Sequence, residues 1–429
     1  MKQAQKISIS NHGLVKLLVV IGCTLLPWNA TAINQGNLSD KLFTNTVNRD
    51  LVEKLLVESL MQIARGETKQ AMDTVDELIR TTPNFKLAHL IRGDLLSAQG
   101  QTINPFGHTA AISAAEKSQE IEGLREEART RLNYYFSTDN QRQVPNIAVQ
   151  MNAKQTHLIL IDTVKSRLFV YKKTNTGLQH VADYYVTIGK NGADKNVEGD
   201  KRTPIGLYFA SKKLTTPLSD FYGEGAYPLN YPNALDKHYK KTGHGIWLHG
   251  TPKDTYSRPP RASDGCVVLS NPDLNKLASI LDIGNTPVII SDNVEWVSNI
   301  EASSQTTELS TLNKALEKWQ QDWVSQNTDK YLSHYSNQFF YSDGTLSEWA
   351  DHKRRVQAGK PKVAIKISDV SMFGYPNLRK SNNLPPNTKI IVVDFNQYYE
   401  SPTLKNKMRK RQYWTNENNQ WKIIYEGAA

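Results

Sequence analysis

His244-Gly245-Ile246-Trp247-Leu248-His249-Gly250-Thr251-Pro252 and, across a loop holding Pro259-Pro260, Ser263-Asp264-Gly265-Cys266-Val267-Val268-Leu269 are the two stretches that decide how the middle of this chain is read. Each carries a short apolar run, Gly245 to Leu248 and Val267 to Leu269, next to glycines that punctuate loops, so each reads as a short buried strand with a reactive residue at its end. A thiolate attacks far better than a thiol, so a working cysteine needs a base or positive charge beside it. Histidine is the natural base near neutral pH. A small residue after His249 lets a main-chain carbonyl approach the imidazole and fix its tautomer. The glycine before Cys266 lets backbone come close to substrate and present N–H groups to a developing oxyanion. His249 and Cys266 are 17 positions apart, and spacing alone does not prove that they meet.

Working outward, His157 to Ile161 and Arg167 to Tyr171 are strand runs, Val181 to Ile188 is a third closed by Gly189, and Val288 to Ile290 completes a strand-rich unit placed at 146–292. With Gly189-Lys190-Asn191-Gly192, Thr203-Pro204-Ile205-Gly206-Leu207-Tyr208, His249-Gly250-Thr251 and Ser263-Asp264-Gly265-Cys266, about 140 residues resemble the L,D-transpeptidase (YkuD) family, whose signature is a His-Gly pair, a loop and Ser/Thr-His-Gly-Cys. The resemblance implies Cys266 as acylated nucleophile and His249 as base. It also implies the Gly250 carbonyl as orienter, and backbone N–H groups around Gly265 and Cys266 as the oxyanion hole. His244 is a rival base, set aside because Gly250-Thr251 follows His249 as in the family. Asp264 replaces the family's usual histidine and Val268 its usual Arg or Asn. A carboxylate facing the sulfur would raise the thiol's pKa; the expectation is that Asp264 turns away and pairs with a cation such as Arg258 or Arg261. Ser263, Asp264, Arg258, Arg261, Tyr222 and Tyr227 are the substrate-binding candidates, the guanidinium groups being suited to stem-peptide carboxylates. No metal or cofactor is implied.

The chain has 429 residues and 22% charged residues, enough for two or three domains. Residues 1–32 read as an export signal: Lys2 and Lys6, a mostly apolar run from Leu14 to Leu26, then Ala30-Thr31-Ala32. Cys23 falls inside it, loosely lipobox-like in Val20-Ile21-Gly22-Cys23, so cleavage leaves Cys266 without a disulfide partner. Loss of Lys2, Lys6 and Lys16 lowers the net charge from +10 to +7, which suits an anionic wall polymer or membrane surface. No nucleic-acid motif is present, and no transmembrane anchor is expected after cleavage. A periplasmic location in a Gram-negative-type envelope follows.

From 33 to 145 the apolar spacing of Leu55, Leu56, Leu60 and Ile63, then Gly66, Ala71, Leu78 and Pro83, is helical and tetratricopeptide-like for about one and a half units. A packing or dimerisation role suits it better than a peptide groove. A polar linker, 293–310, precedes Leu312, Leu316, Trp319 and Trp323 on a helical stripe. Strand candidates follow at Val363 to Ile367, Ile390 to Phe395, Lys410 to Trp414 and Trp421 to Tyr425. Residues 311–429 resemble the α+β cone fold named for nuclear transport factor 2. Trp319, Tyr335, Phe339, Trp414 and Trp421 are assigned to its core. The fold class is thus multidomain: α-helical, then mostly β, then α+β. The tail from Thr311 to Gly427 is expected to fold separately and to supply no catalytic group. Together the three parts resemble the enzymes that set helical cell shape. The implied reaction is transpeptidation through a thioester at the L-centre of diaminopimelate, with release of D-alanine. The alternatives are an L,D-carboxypeptidase that uses water, attachment or detachment of a lipoprotein, and a non-catalytic wall-binding scaffold.

Overall fold

The computed structural model describes residues 51–99, 115–137, 143–175, 177–215, 217–298, 304–342, 344–358, 363–376 and 388–429. The expected export signal, Cys23 and residues 299–303 of the expected linker lie outside them.

Four helices, Leu51–Ala64, Thr68–Thr81, Lys86–Ser97 and Ala115–Phe136, open the described chain. Leu56, Leu60 and Ile63, then Ala71, Val75 and Leu78, then Leu87, Ala88, Ile91 and Leu95 recur every three to four positions, and all are buried in one core. Gly66, at φ 77°, makes the turn between the first two helices, a conformation glycine takes without strain. Tyr256 of the central unit inserts into this core, its ring 4.9 Å from that of Phe85.

The central unit is built on a five-stranded sheet, in the order Gly177–Tyr185, Arg167–Thr174, His157–Asp162, Pro287–Ser291 and Gly206–Phe209. Only the pair formed by His157–Asp162 and Pro287–Ser291 is parallel. Ile159, Ile161, Leu168 and Val170 face a core shared with Leu248, Val267, Leu269 and Leu274. Leu158, Leu160, Phe169 and Leu207 face the other way. The sheet is therefore covered on both sides, which is why His157 to Ile161 is a continuous apolar run rather than an alternating one. A smaller sheet orders Val267–Val268, Trp247–His249 and Ala226–Pro228, and Arg261–Ser263 pairs with Ile188–Gly189.

The tail packs the helices Ser304–Val324, Thr328–Leu332 and Leu346–Gln357 against a seven-stranded sheet. Leu312, Leu316, Trp319 and Trp323 lie along one buried helix face and share a core with the strand residues Tyr335, Phe339, Trp414 and Trp421, so the aromatic residues assigned to the core are there. A cavity of about 570 Å³ opens beside them, lined by Tyr341, Trp349, Arg355, Met408, Lys410 and Glu426 among others. The strand Tyr335–Tyr341 and the helix Leu346–Gln357 were not read from the sequence.

The tail does not stand apart from the central unit but packs closely against it. Its sheet is completed by Val149–Gln150, a strand that precedes His157–Asp162 and the rest of the five-stranded sheet in the chain. The outer face of the five-stranded sheet packs on Phe373, Tyr375, Ile390, Val392, Tyr413 and Ile424 of the tail as one buried cluster. Asn233 donates to the Tyr375 hydroxyl at 3.0 Å, and Arg409 donates to the Gly284 carbonyl at 2.8 Å. Each fully buried aliphatic or aromatic side chain contributes about 1.5–3 kcal/mol, so this junction behaves as core. No helix among the described residues is long and apolar enough to cross a membrane.

Candidate active site

The small sheet brings the two stretches together. Trp247–His249 and Val267–Val268 are parallel neighbours, with Leu248 opposite Val267 and His249 opposite Val268. Side chains alternate along a strand, and paired residues share a face. Leu248 and Val267 enter the core. His249 and, one residue before the ladder begins, Cys266 therefore belong to the opposite face. The Leu269 N–H donates to the His249 carbonyl at 2.9 Å, locking this register.

His249 is buried, its ring 5.2 Å from that of Tyr222 and 6.0 Å from that of Phe221. Its Nδ1 lies 2.7 Å from the Gly250 carbonyl oxygen. That contact requires a proton on Nδ1 and leaves Nε2 with a free lone pair. Burial pushes the imidazole down to about 4, the Gly250 carbonyl opposes this, and the Arg258 charge adds to it. Gly250 is held in turn: its N–H donates to the Tyr222 carbonyl at 3.0 Å, and a Cβ there would meet Asn271 Oδ1 at 2.0 Å.

Cys266 is a half-buried free thiol whose Sγ lies 3.4 Å from the Gly245 carbonyl oxygen. Burial raises its pKa above the ordinary thiol value. The Trp247 backbone N–H draws it back, the Asp264 carboxylate raises it, and Arg258 and Lys195 lower it. Burial thus disfavours the charged form of both groups, which share one face of the small sheet.

The turn before Cys266 is tightly specified. Ser263 Oγ donates to the Cys266 carbonyl at 2.6 Å and accepts from the Gly265 N–H at 3.1 Å. Thr203 Oγ1 donates to the Gly265 carbonyl at 3.0 Å and accepts from the Gly189 N–H at 2.9 Å. Gly265 sits at φ 125°, where a Cβ would lie 2.8 Å from the Arg202 carbonyl oxygen, so only glycine fits.

Several expectations need correcting. Ser263 is buried and committed to the turn, so it braces backbone and is not free for substrate. The Gly265 N–H is taken by Ser263 and is not an oxyanion donor. Tyr227 pairs with Leu248 and shares its inward face, so it is core and does not line the cleft. Asp264 does pair with a cation, but the cation is Lys190, at 3.2 Å, and the pair is solvent-exposed. Arg258 is half-buried, donates to the Phe221 carbonyl at 3.1 Å and stacks on the Phe221 ring at 4.4 Å. Arg261 is exposed at the start of its strand. Tyr222 lies against His249 and against Trp247, at 4.7 Å. His244 is 85% exposed beside Glu198, which leaves it no part in a buried pair. Thr203, Phe221 and Asn271 were missed as site residues: their roles lie in long-range contacts with backbone and ring, which no local spacing encodes. No group of acidic, histidine or cysteine side chains among the described residues is arranged to hold a metal ion.

This geometry has known counterparts. Residues 156–290 match the L,D-transpeptidase catalytic domain, YkuD, and residues 311–427 match the Cds6 C-terminal NTF2-like domain. The chain thus carries a peptidoglycan-acting L,D-transpeptidase-type catalytic domain followed by an NTF2-like domain. Among solved structures it is similar to Bd1075 of Bdellovibrio bacteriovorus, with 29% identity over 67% of this chain and 98% of that one, and a TM-score of 0.54. It is also similar to the helical cell shape determining protein Pgp2 of Campylobacter jejuni, with 25% identity over 70% of this chain and 99% of that one, and a TM-score of 0.54. No curated protein sequence matches significantly.

Proposed function

We propose that this chain is an exported, periplasmic L,D-transpeptidase that works through a Cys266 thioester on tetrapeptide stems of peptidoglycan, and that it takes part in setting cell shape. The observation that carries the reading is the His249 tautomer fixed by Gly250, on the same sheet face as Cys266. His249 Nε2 takes the thiol proton as Sγ attacks the carbonyl at the L-centre of diaminopimelate. The Cys266 N–H, in the turn braced by Ser263, meets the oxyanion. Collapse breaks the C–N bond, and D-alanine leaves with the proton held by His249. An amine from a second stem then attacks the thioester, its proton passes to His249, and the sulfur departs and is reprotonated. Arg258 and Arg261 face the incoming stem as partners for its carboxylates.

Digestion of purified muropeptides, read by mass, tests this. Release of D-alanine with formation of a cross-linked dimer is the expected result. Release with gain of water would make the enzyme a carboxypeptidase that trims tetrapeptide to tripeptide. Absence of both, together with no covalent adduct on exposure to a carbapenem, would leave a wall-binding scaffold. Cys266→Ala and Cys266→Ser should both abolish turnover with the fold intact.

A further inference from the structure

The loop 251–260 is the connection between His249 and Cys266, and one side of it lies against the helical domain. The Tyr256 N–H donates to the Asn84 carbonyl at 3.1 Å, and Asn84 Nδ2 donates to the Lys253 carbonyl at 2.9 Å. Ser257 Oγ donates to Glu127 Oε1 at 2.6 Å, with both side chains buried. Gly123 backs onto Pro259 so closely that a Cβ would lie 2.7 Å from the proline ring. Glu127 is itself held by Arg131, at 2.9 Å, and Arg131 also pairs with Glu53 and lies 3.8 Å over the Tyr185 ring. The Tyr185 hydroxyl donates to the Arg258 carbonyl at 3.0 Å, and Thr187 Oγ1 donates to the same oxygen at 2.9 Å. The residue after Ser257 is thus pinned by its backbone, and its guanidinium is stacked on Phe221, whose ring also neighbours His249.

We propose that the helical domain is part of the active-site scaffold, with Glu127 and Ser257 as positioning residues that hold Arg258 over Phe221 beside Cys266 and His249. A helical domain serving only packing or dimerisation has no need to place a buried carboxylate on the loop joining the nucleophile to its base. The Arg258 charge favours ionisation of the sulfur, so a displaced guanidinium changes the thiol's reactivity. The proposal deepens the reading of Cys266 as nucleophile and rests on it.

The test is a double-mutant cycle in the full chain. Glu127→Ala, Ser257→Ala, Arg258→Ala and the two pairs with Arg258→Ala are compared by the iodoacetamide alkylation rate of Cys266 at one fixed pH, with thermal midpoints recorded in parallel. Alkylation needs no wall substrate, so a protein that alkylates normally yet turns over no muropeptide would fault the proposed function and leave this inference standing. The expected result is a fall of about threefold or more in each single variant, within the range for coupled residues of one network, and no further fall when Arg258→Ala is already present. Should Glu127→Ala fail to fold, Ser257→Ala removes the same hydrogen bond and decides alone. Effects that multiply across the cycle, or single variants that alkylate at the wild-type rate, would overturn the proposal.

Discussion

Removing the imidazole with His249→Ala separates two ways a cysteine–histidine pair can work. If the resting pair were thiolate and imidazolium, the thiol would be reactive over a broad range, and loss of the positive charge would raise its pKa by several units. The structure argues for the neutral pair. Burial holds His249 at about 4 and pushes Cys266 above an ordinary thiol's roughly 8.5. The two shifts run in opposite directions, so moving the proton from sulfur to nitrogen at rest is uphill. Alkylation of wild-type Cys266 by iodoacetamide should therefore rise with pH through a single step centred above the ordinary thiol range. His249→Ala should shift that midpoint by less than about one unit, because no imidazolium is present there to be lost. Turnover of muropeptides by the same variant should fall by about 10²–10⁴, the usual share of a general base. A reactivity plateau extending below neutral pH in the wild type, or a midpoint that climbs by two units or more in His249→Ala, would refute the neutral pair.

The buried imidazole also has a stability signature. Between about pH 6.5 and 4 the unfolded chain takes up a proton that folded His249 refuses, so the stability it contributes is present above 6.5 and is lost as pH falls through that window, by about 3 kcal/mol. Urea denaturation of the wild type and His249→Gln at both ends of the window should show the flatter profile in the variant. Gly265→Ala should cost about 1–3 kcal/mol and suppress the carbapenem adduct, since its φ of 125° and the Arg202 carbonyl both exclude a Cβ; an unchanged melting point would contradict this. Asp264→Asn should leave stability within about 0.5 kcal/mol, because its pair with Lys190 is exposed. It should also lower the thiol midpoint by less than one unit, whereas a rise would mean that Asp264 does not act on the sulfur. A chain ending near Ile300 strips the cover from Phe169, Leu207 and Ile289 and should fail to unfold cooperatively; a sharp melt with normal carbapenem labelling would show the tail to be dispensable.

Much of the site was legible because local chemistry wrote it into the sequence. His249-Gly250 and Gly265-Cys266 each need a small neighbour for a backbone reason, and the structure shows both reasons, a carbonyl on Nδ1 and a left-handed turn. The apolar runs at His157 to Ile161 and Ile390 to Phe395 are strands because a sheet covered on both faces cannot alternate. Side-chain direction was not legible: Tyr222 and Tyr227 sit in one glycine-rich stretch, yet Tyr222, in a short helical turn, reaches the imidazole and Tyr227, on a strand, enters the core. The partner of Asp264 was missed because Lys190 is 74 positions away, across a two-strand pairing no spacing announces. The packing of the tail on the central unit was not legible because a polar linker speaks only for the chain that joins two bodies, and not for the surfaces they bury against each other.

The strand Val149–Gln150 belongs to the tail's sheet but is made long before the tail. A chain that emerges from its N-terminus has this strand, and the apolar outer face of the central sheet, waiting unpaired until residues 364–428 arrive. The central unit cannot be sealed as it appears, and its outer face stays wet for the time taken to deliver more than a hundred further residues. Non-local pairing of this kind slows folding and exposes a surface prone to aggregation. The last strands to emerge are therefore the ones that commit the whole molecule.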